Sequence, residues 1–158
     1  MLYDPRDTSP RQGAAAAREA GVKLGLILVE REVRNEEEVT GALTGLDQVD
    51  ALLGVPGGAP SGHYAAMIRA ANAKRRPTIF HARTGSTRDA LITYGANDAD
   101  IAREAARLVD KVLKGANAGD LPVERPTKIA LIINLRIAKA LGLTIPPSVL
   151  VRADEVIE

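Results

Sequence analysis

The sequence predicts an α/β fold, a three-layer sandwich in which a mostly parallel sheet carries helices on both faces. Two observations predict it. Short apolar runs recur along the chain, and capped helix-forming segments stand between them. Strands separated by helices of about ten residues or more require crossover connections, which set neighbouring strands parallel.

Leu2-Tyr3 reads as the end of a first strand, because Asp4-Pro5-Arg6-Asp7 is turn chemistry. Ser9 supplies an N-cap, Pro10 the first helical position and Gln12 a capping-box partner, so a helix is expected over 10–20, closed by Gly21. The apolar run 22–29 lacks a 3.6-residue period and predicts a strand. Asn35 caps a second helix whose first turn holds Glu36, Glu37 and Glu38, where the macrodipole favours negative charge. That acidic cluster reads as a solvated helix start and not as a metal site.

A third strand is expected over 51–55, ended by Pro56-Gly57-Gly58-Ala59-Pro60, and Ser61 is expected to cap a third helix reaching residue 74. Residues 77–80 predict a fourth strand, followed by a polar loop from His81 to Arg88, and 90–94 predict a fifth. Asn97 caps a long helix in which Ile101, Ala105, Leu108 and Val112 recur at spacings of four, three and four, ended by Gly115. The Pro-containing stretch 121–128 reads as a linker, 128–134 as a return strand and 135–141 as its helix, with Pro146-Pro147 as a stop.

The 158 residues suit a single domain, expected over 1–158, with 46% hydrophobic and 26% charged residues. Lys and Arg total 21 against 20 for Asp and Glu, a net charge of +1 that gives no electrostatic reason to expect nucleic acid or a lipid surface. Aromatic residues at 3% supply no stacking platform for single strands. Without cysteine there is no disulfide, thiolate nucleophile or Cys-based zinc site. No apolar run approaches the roughly 20 residues of a membrane span. The polar opening Met1-Leu2-Tyr3-Asp4-Pro5 does not match a secretory signal, so the chain as written is expected to stay in the cytoplasm.

In an open parallel sheet, ligands bind outside the carboxyl ends of the strands, where loops and helix N-termini gather. Four loops form that edge here: 4–9, 56–61, 81–88 and 94–97. Within them Asp4, Thr8, Ser9, Gly57, Gly58, Ser61, His81, Arg83 and Tyr94 are the candidate ligand-binding residues. Thr8, Ser9 and Ser61 offer hydroxyls beside free backbone amides, and Gly57-Gly58 lets the backbone approach a small ligand. His81 and Arg83 can meet a carboxylate. Ser9, Ser61 and Asn97 also have a plain reading as helix caps, and an exposed loop arginine one as a solvated charge.

Catalytic readings are weaker. Neither histidine has metal-ligand spacing, and Gly58-Ala59-Pro60-Ser61-Gly62 is not a nucleophile elbow, although Ser61 and His63 are neighbours. No Gly-rich phosphate loop is present. No enzyme activity, cofactor or metal is expected.

The C-terminal segment, with Leu121-Pro122-Val123-Glu124-Arg125-Pro126-Thr127-Lys128, then Ile133-Asn134-Leu135, Ala138-Lys139-Ala140-Leu141-Gly142-Leu143-Thr144-Ile145-Pro146-Pro147 and Arg152-Ala153-Asp154-Glu155-Val156-Ile157-Glu158, resembles the ending of ABC transporter substrate-binding proteins of the periplasmic-binding-protein type 1 fold. Leu2-Tyr3-Asp4-Pro5 is similar to the family's "LYNP", Leu91-Ile92-Thr93-Tyr94-Gly95 to "LMSYG" and Val109-Asp110-Lys111-Val112-Leu113-Lys114-Gly115-Ala116 to "VDKILKGA". The likeness spans nearly the whole chain and is weakest over 57–89.

It implies two α/β lobes that close on a small solute and pass it to a membrane permease and its ATPase, outside the cytoplasm and without catalysis. By the same resemblance the chain corresponds to the second lobe: 1–96 and 120–158 as the lobe's core, and 97–119 as a crossover helix that packs on a first lobe. Two departures from the family pattern fall in the site. Pro56-Gly57-Gly58-Ala59-Pro60 lacks the usual aromatics, and Arg83-Thr84-Gly85-Ser86-Thr87-Arg88-Asp89 replaces a stretch like "REFVEAGG". The leading expectation is a partial solute-binding component of an ABC importer, with an amino acid or similar small organic solute. The alternative is a free-standing lobe that forms a homodimer through the helix at 97–115.

Overall fold

Each apolar run that ends in turn residues is followed by a segment that carries the chain back across the sheet, and the computed structural model shows the resulting alternation. It describes residues 1–81 and 84–158. In chain order the elements are β1 (Leu2–Tyr3), α1 (Thr8–Leu24), β2 (Arg31–Glu32), α2 (Glu36–Leu43) and a 3-10 turn (Thr44–Gln48). Then come β3 (Leu52–Leu53), a second 3-10 turn (Ala59–His63), α3 (Tyr64–Ala73), β4 (Thr78–Phe80) and β5 (Ile92–Ala96). The chain continues through α4 (Asp98–Leu113), a third 3-10 turn (Ala118–Asp120), β6 (Ile129–Asn134), α5 (Leu135–Leu141), α6 (Pro147–Leu150) and β7 (Glu155–Ile157).

β1 pairs parallel with β2, and β3, β4, β5, β6 and β7 form a five-stranded sheet in that order. A parallel bridge between Leu2 and Gly54 joins the two, giving the run β2-β1-β3-β4-β5-β6-β7. All of its pairings are parallel except β5 with β6, where Ile92 faces Ile133 and Ala96 faces Ile129. The α/β class and the mostly parallel sheet are as the sequence predicts.

Alternation along the strands splits the core between the two faces. Leu2, Val33, Val39, Leu46, Leu52, Tyr64, Met67, Ile68, Ala71, Phe80 and Ala90 pack together on one side. Met1, Tyr3, Ala14 and Val55 pack on the other. Residues of α2 and α3 thus cover one face and α1 the other. Gly54 keeps the first cluster closed: a Cβ there would lie 2.3 Å from the Phe80 ring, so only glycine lets the buried ring lie against this strand.

Several boundaries differ from the sequence reading. Gly21 does not end α1; the helix runs on to Leu24 and stops at Gly25, whose φ of 68° is the left-handed C-cap conformation. The residues 22–29 therefore form the last turn of α1 and a loop, and the strand lies further on, at β2. Ser9 sits inside α1 and not at its N-cap, which is Asp7. Ser61 does not cap α3, because a 3-10 turn intervenes. β5 lies two residues later than expected at either end. Asn35 and Asn97 do cap α2 and α4, accepting from the amides of Glu38 and Ala99 at 2.8 Å each.

α4 is strongly amphipathic, yet none of its residues is buried. Ile101, Val109, Val112 and Leu113 are all exposed. It is tied back through Arg107 to Glu124 and through Glu104, which accepts from the Thr127 hydroxyl at 2.8 Å. No helix among the described residues is long and apolar enough to cross a membrane.

Candidate functional site

The strand order fixes where a site is expected. From β1 the chain winds to β2 on one side, then crosses to β3 on the other side and continues to β4 and β5. The winding reverses between β1 and β3, and a crevice opens outside the carboxyl ends of strands at such a switch point. Asp4 follows β1 there, and 56–61 follow β3.

Asp4 is the organising group. Its carboxylate is buried, and Arg6 donates to it twice, Nε to Oδ1 at 3.0 Å and Nη2 to Oδ2 at 2.7 Å. The amide of Arg6 donates to Oδ1 at 3.0 Å in an Asx turn, and the amide of Ala59 donates to Oδ2 at 3.1 Å. Arg6, with these amides, holds the carboxyl well below the usual carboxylate range, against the opposing effect of burial. Arg6 also donates to the Arg34 carbonyl at 2.5 Å, which ties the start of α2 to the same point. Asp4 therefore binds the β3 loop to β1, and both its oxygens are already engaged.

Gly57 and Gly58 lie against this anchor. Gly58 has φ of 68°, and a Cβ on it would come within 2.2 Å of the Asp4 Cβ. Gly57 has φ of 94° and lies over Pro10 in the first turns of α1, 3.1 Å from an added Cβ. The Gly57 amide donates to Ser61 Oγ at 3.0 Å. Ser61 Oγ is 3.2 Å from the Tyr64 hydroxyl, which donates to the Val55 carbonyl at 2.9 Å. The Ser61 hydroxyl thus stabilises its own loop, and no hydrogen bond joins it to His63 among the described residues.

Tyr64 links this loop to the next. Its ring meets Phe80 edge to face at 4.9 Å and His81 at 5.6 Å. His81 follows β4 and is half-buried, with Nδ1 shielded and unpartnered among the described residues. Burial pushes its pKa below the ordinary value, while Asp98 acts the other way.

Asp4, Gly57, Gly58 and Ser61 are thus brought together, with His81 joined through Tyr64. Thr8 and Ser9 are exposed in the first turn of α1, beside Pro10. Tyr94 is 60% exposed, but it lies within β5 and not in the loop beyond it. Arg83 lies outside the described residues. Sequence reasoning did not single out Tyr64 or the pairing of Arg6 with Asp4. The Asp-Pro-Arg spacing was a usable signal for an Asx turn, and a tyrosine in an apolar helix always needs a partner for its hydroxyl.

No curated protein sequence matches the chain. Among solved structures, a conserved domain protein from Vibrio cholerae O1 biovar El Tor superimposes with a TM-score of 0.86 at 26% identity, covering 98% of this chain and 53% of its own. An ABC domain from Streptococcus pneumoniae in complex with L-Trp has a TM-score of 0.86 at 24% identity, covering 99% of this chain and 55% of its own. A ligand-free, open substrate-binding protein with adhesive properties from Clostridium difficile has a TM-score of 0.68 at 23% identity, covering 99% and 52%. The last two share the fold with this chain, which spans about half the length of each of the three. The family model described as ABC transporter substrate binding protein matches residues 1–157. The chain belongs to the ABC transporter substrate-binding protein family.

Proposed function

We propose that this chain forms one lobe of a solute-binding clamp and holds a small organic solute with a carboxylate, such as an amino acid, without changing it chemically. The observation that carries this reading is the reversal of the winding between β1 and β3, where Asp4 fixes Gly57 and Gly58 beside the first turn of α1. Backbone exposed by two glycines, the hydroxyls of Thr8 and Ser9, and His81 offer donors to a carboxylate. Arg83 supplies the positive charge in this reading, and Tyr94 a flat apolar surface. The L-Trp bound to the Streptococcus pneumoniae domain supports a solute of this class.

The partner lobe, a permease and an ATPase complete the transport role, outside the cytoplasm. α4 then packs its apolar face on the other lobe. Closure of two lobes on a solute needs the solute to favour the closed state, so a single lobe binds only weakly. Titration of the chain with L-tryptophan, L-leucine and L-glutamate, followed through backbone amide shifts, tests the site. Shifts clustered at 8–9, 57–61 and 81 support it. Shifts elsewhere, no shifts with any of them, or chemical turnover of the solute would overturn it.

A second reading is favoured by one observation, the absence of any buried residue in α4. The same face can join two copies of this chain, since an exposed apolar stripe marks an interaction surface. Sedimentation distinguishes the two: a monomer at high concentration rules out the homodimer.

A further inference from the structure

We propose that His81 meets the solute as a neutral imidazole whose proton sits on Nε2, so that it donates one hydrogen bond to an acceptor oxygen and brings no positive charge. This rests on the solute-binding reading of the strand edge, and it changes what kind of contact His81 makes there.

His81 directly follows Phe80, the last residue of β4, at the carboxyl end of the sheet. Its ring lies edge to face on Tyr64 at 5.6 Å with an interplanar angle of 66°. Tyr64 cannot yield easily, because its hydroxyl donates to the Val55 carbonyl and meets Ser61 Oγ, and its ring also packs on Phe80. The pose of the imidazole is thus set by a residue that is itself held on three sides.

In that pose Nδ1 is shielded from solvent and has no hydrogen-bond partner among the described residues. A neutral imidazole has one N–H donor and one bare nitrogen, whereas the cation has two donors. A proton on Nδ1, in either the neutral or the charged form, would leave a buried donor unbonded. A bare nitrogen in the same place is the lesser loss, since orphaned buried N–H groups are rarer than under-used acceptors. The proton therefore belongs on Nε2.

The surroundings agree. Tyr64 of α3 is the titratable group packed on the ring, and Asp98 at the start of α4 is the charged group that favours the cation. Burial acts against the cation and outweighs Asp98.

A donor without charge selects by geometry more than by electrostatics. A carboxylate or carbonyl oxygen is accepted, and a group that can only donate is rejected, because it would face a second N–H. The charge of a carboxylate solute then has to be balanced by other groups at this edge.

The test is NMR of the ring nitrogens in the wild-type chain, followed by titration of wild type, His81→Gln and His81→Asn with millimolar L-tryptophan. A glutamine amide reaches the place of Nε2, whereas an asparagine amide reaches that of Nδ1. The expected result is protonated Nε2 in the neutral ring, with the imidazolium midpoint below the ordinary 6.5. His81→Gln should then bind L-tryptophan within about threefold of wild type, and His81→Asn about tenfold or more weakly. Nδ1 protonated in the neutral ring, an imidazolium midpoint at or above 6.5, or equal binding by the two variants would overturn the proposal. If L-tryptophan perturbs no amide of the wild type, the contact falls together with the functional reading, while the ring nitrogens still decide the protonation state without any ligand.

Discussion

The carboxylate of Asp4, at the end of β1, accepts the backbone amide of Ala59, in the loop after β3, at 3.1 Å across the point where the sheet's winding reverses. With the double donation from Arg6 the carboxylate is saturated, so its value to the protein is structural. Asp4→Ala should cost about 1–2 kcal/mol, because the half-buried amide of Ala59 loses its acceptor and the Asx turn at Arg6 its anchor. Urea unfolding checks it, and a loss below about 1 kcal/mol would mean that the loop does not depend on this anchor.

The same group predicts a pH dependence with a definite sign. The folded carboxyl titrates below its ordinary 3.8, so the stability it contributes is present in full above that value and is lost as pH falls through the depressed folded value. The difference in stability between wild type and Asp4→Asn should therefore be constant from pH 8 to pH 5 and shrink only below about pH 4. A difference that already declines at pH 6 would assign the effect to another group.

Gly58→Ala should destabilise by about 3 kcal/mol, combining the left-handed φ with overlap against the Asp4 Cβ. The double variant Asp4→Gly with Gly58→Ala, which removes the Cβ that the new methyl meets, should recover only part of the Gly58→Ala loss, since the φ remains unfavourable. Thermal unfolding of the single and double variants measures the coupling.

Removing only the hydroxyl of Tyr64 isolates its role as a link between two loops. Tyr64→Phe keeps both ring contacts and should cost about 1 kcal/mol, leaving Ser61 Oγ as the Gly57 acceptor without its own fixed neighbour. Amide exchange at Gly57 should accelerate, while that at Leu52 in β3 should follow only the global loss. Equal acceleration at both would make the hydroxyl a general stabiliser and not a loop anchor.

The apolar face of α4 predicts the opposite behaviour. Leu113 is 81% exposed, so Leu113→Ser should leave the melting temperature of a monomeric chain within about 2 °C of wild type. A large loss would show that this face is covered in solution, and sedimentation of the same variant would show whether a second copy covers it.

The class of fold was legible because its signals are local. Asn35 and Asn97 cap their helices as their side-chain chemistry dictates, and the short apolar runs that became β3 and β4 sit where they were expected. Gly21 misled because a glycine inside a helix and one after it look alike in sequence. Its Cβ position lies 3.3 Å from the Leu28 side chain, so it is a close-packing residue, and the stop falls at Gly25. Leu24 and Ile27 read as strand but stand exposed in the turn and loop that follow. At the edge, Gly57, Gly58 and Ser61 were visible as loop residues. Ser61 was not visible as the acceptor of its own loop, because Tyr64 and Val55 are brought to it only by the fold.

β5 and β6 pair antiparallel, with Ala96 directly opposite Ile129, so the chain leaves the sheet at one strand and returns to the adjacent position of its neighbour. Two strands in that arrangement need no more than a tight turn between them. Everything over 97–128, the whole of α4 included, is thus an excursion that the sheet itself does not require. Splicing a two-residue hairpin turn in its place should leave an intact sheet and a shorter, more soluble domain, which makes the excursion separable from the folding unit that carries it.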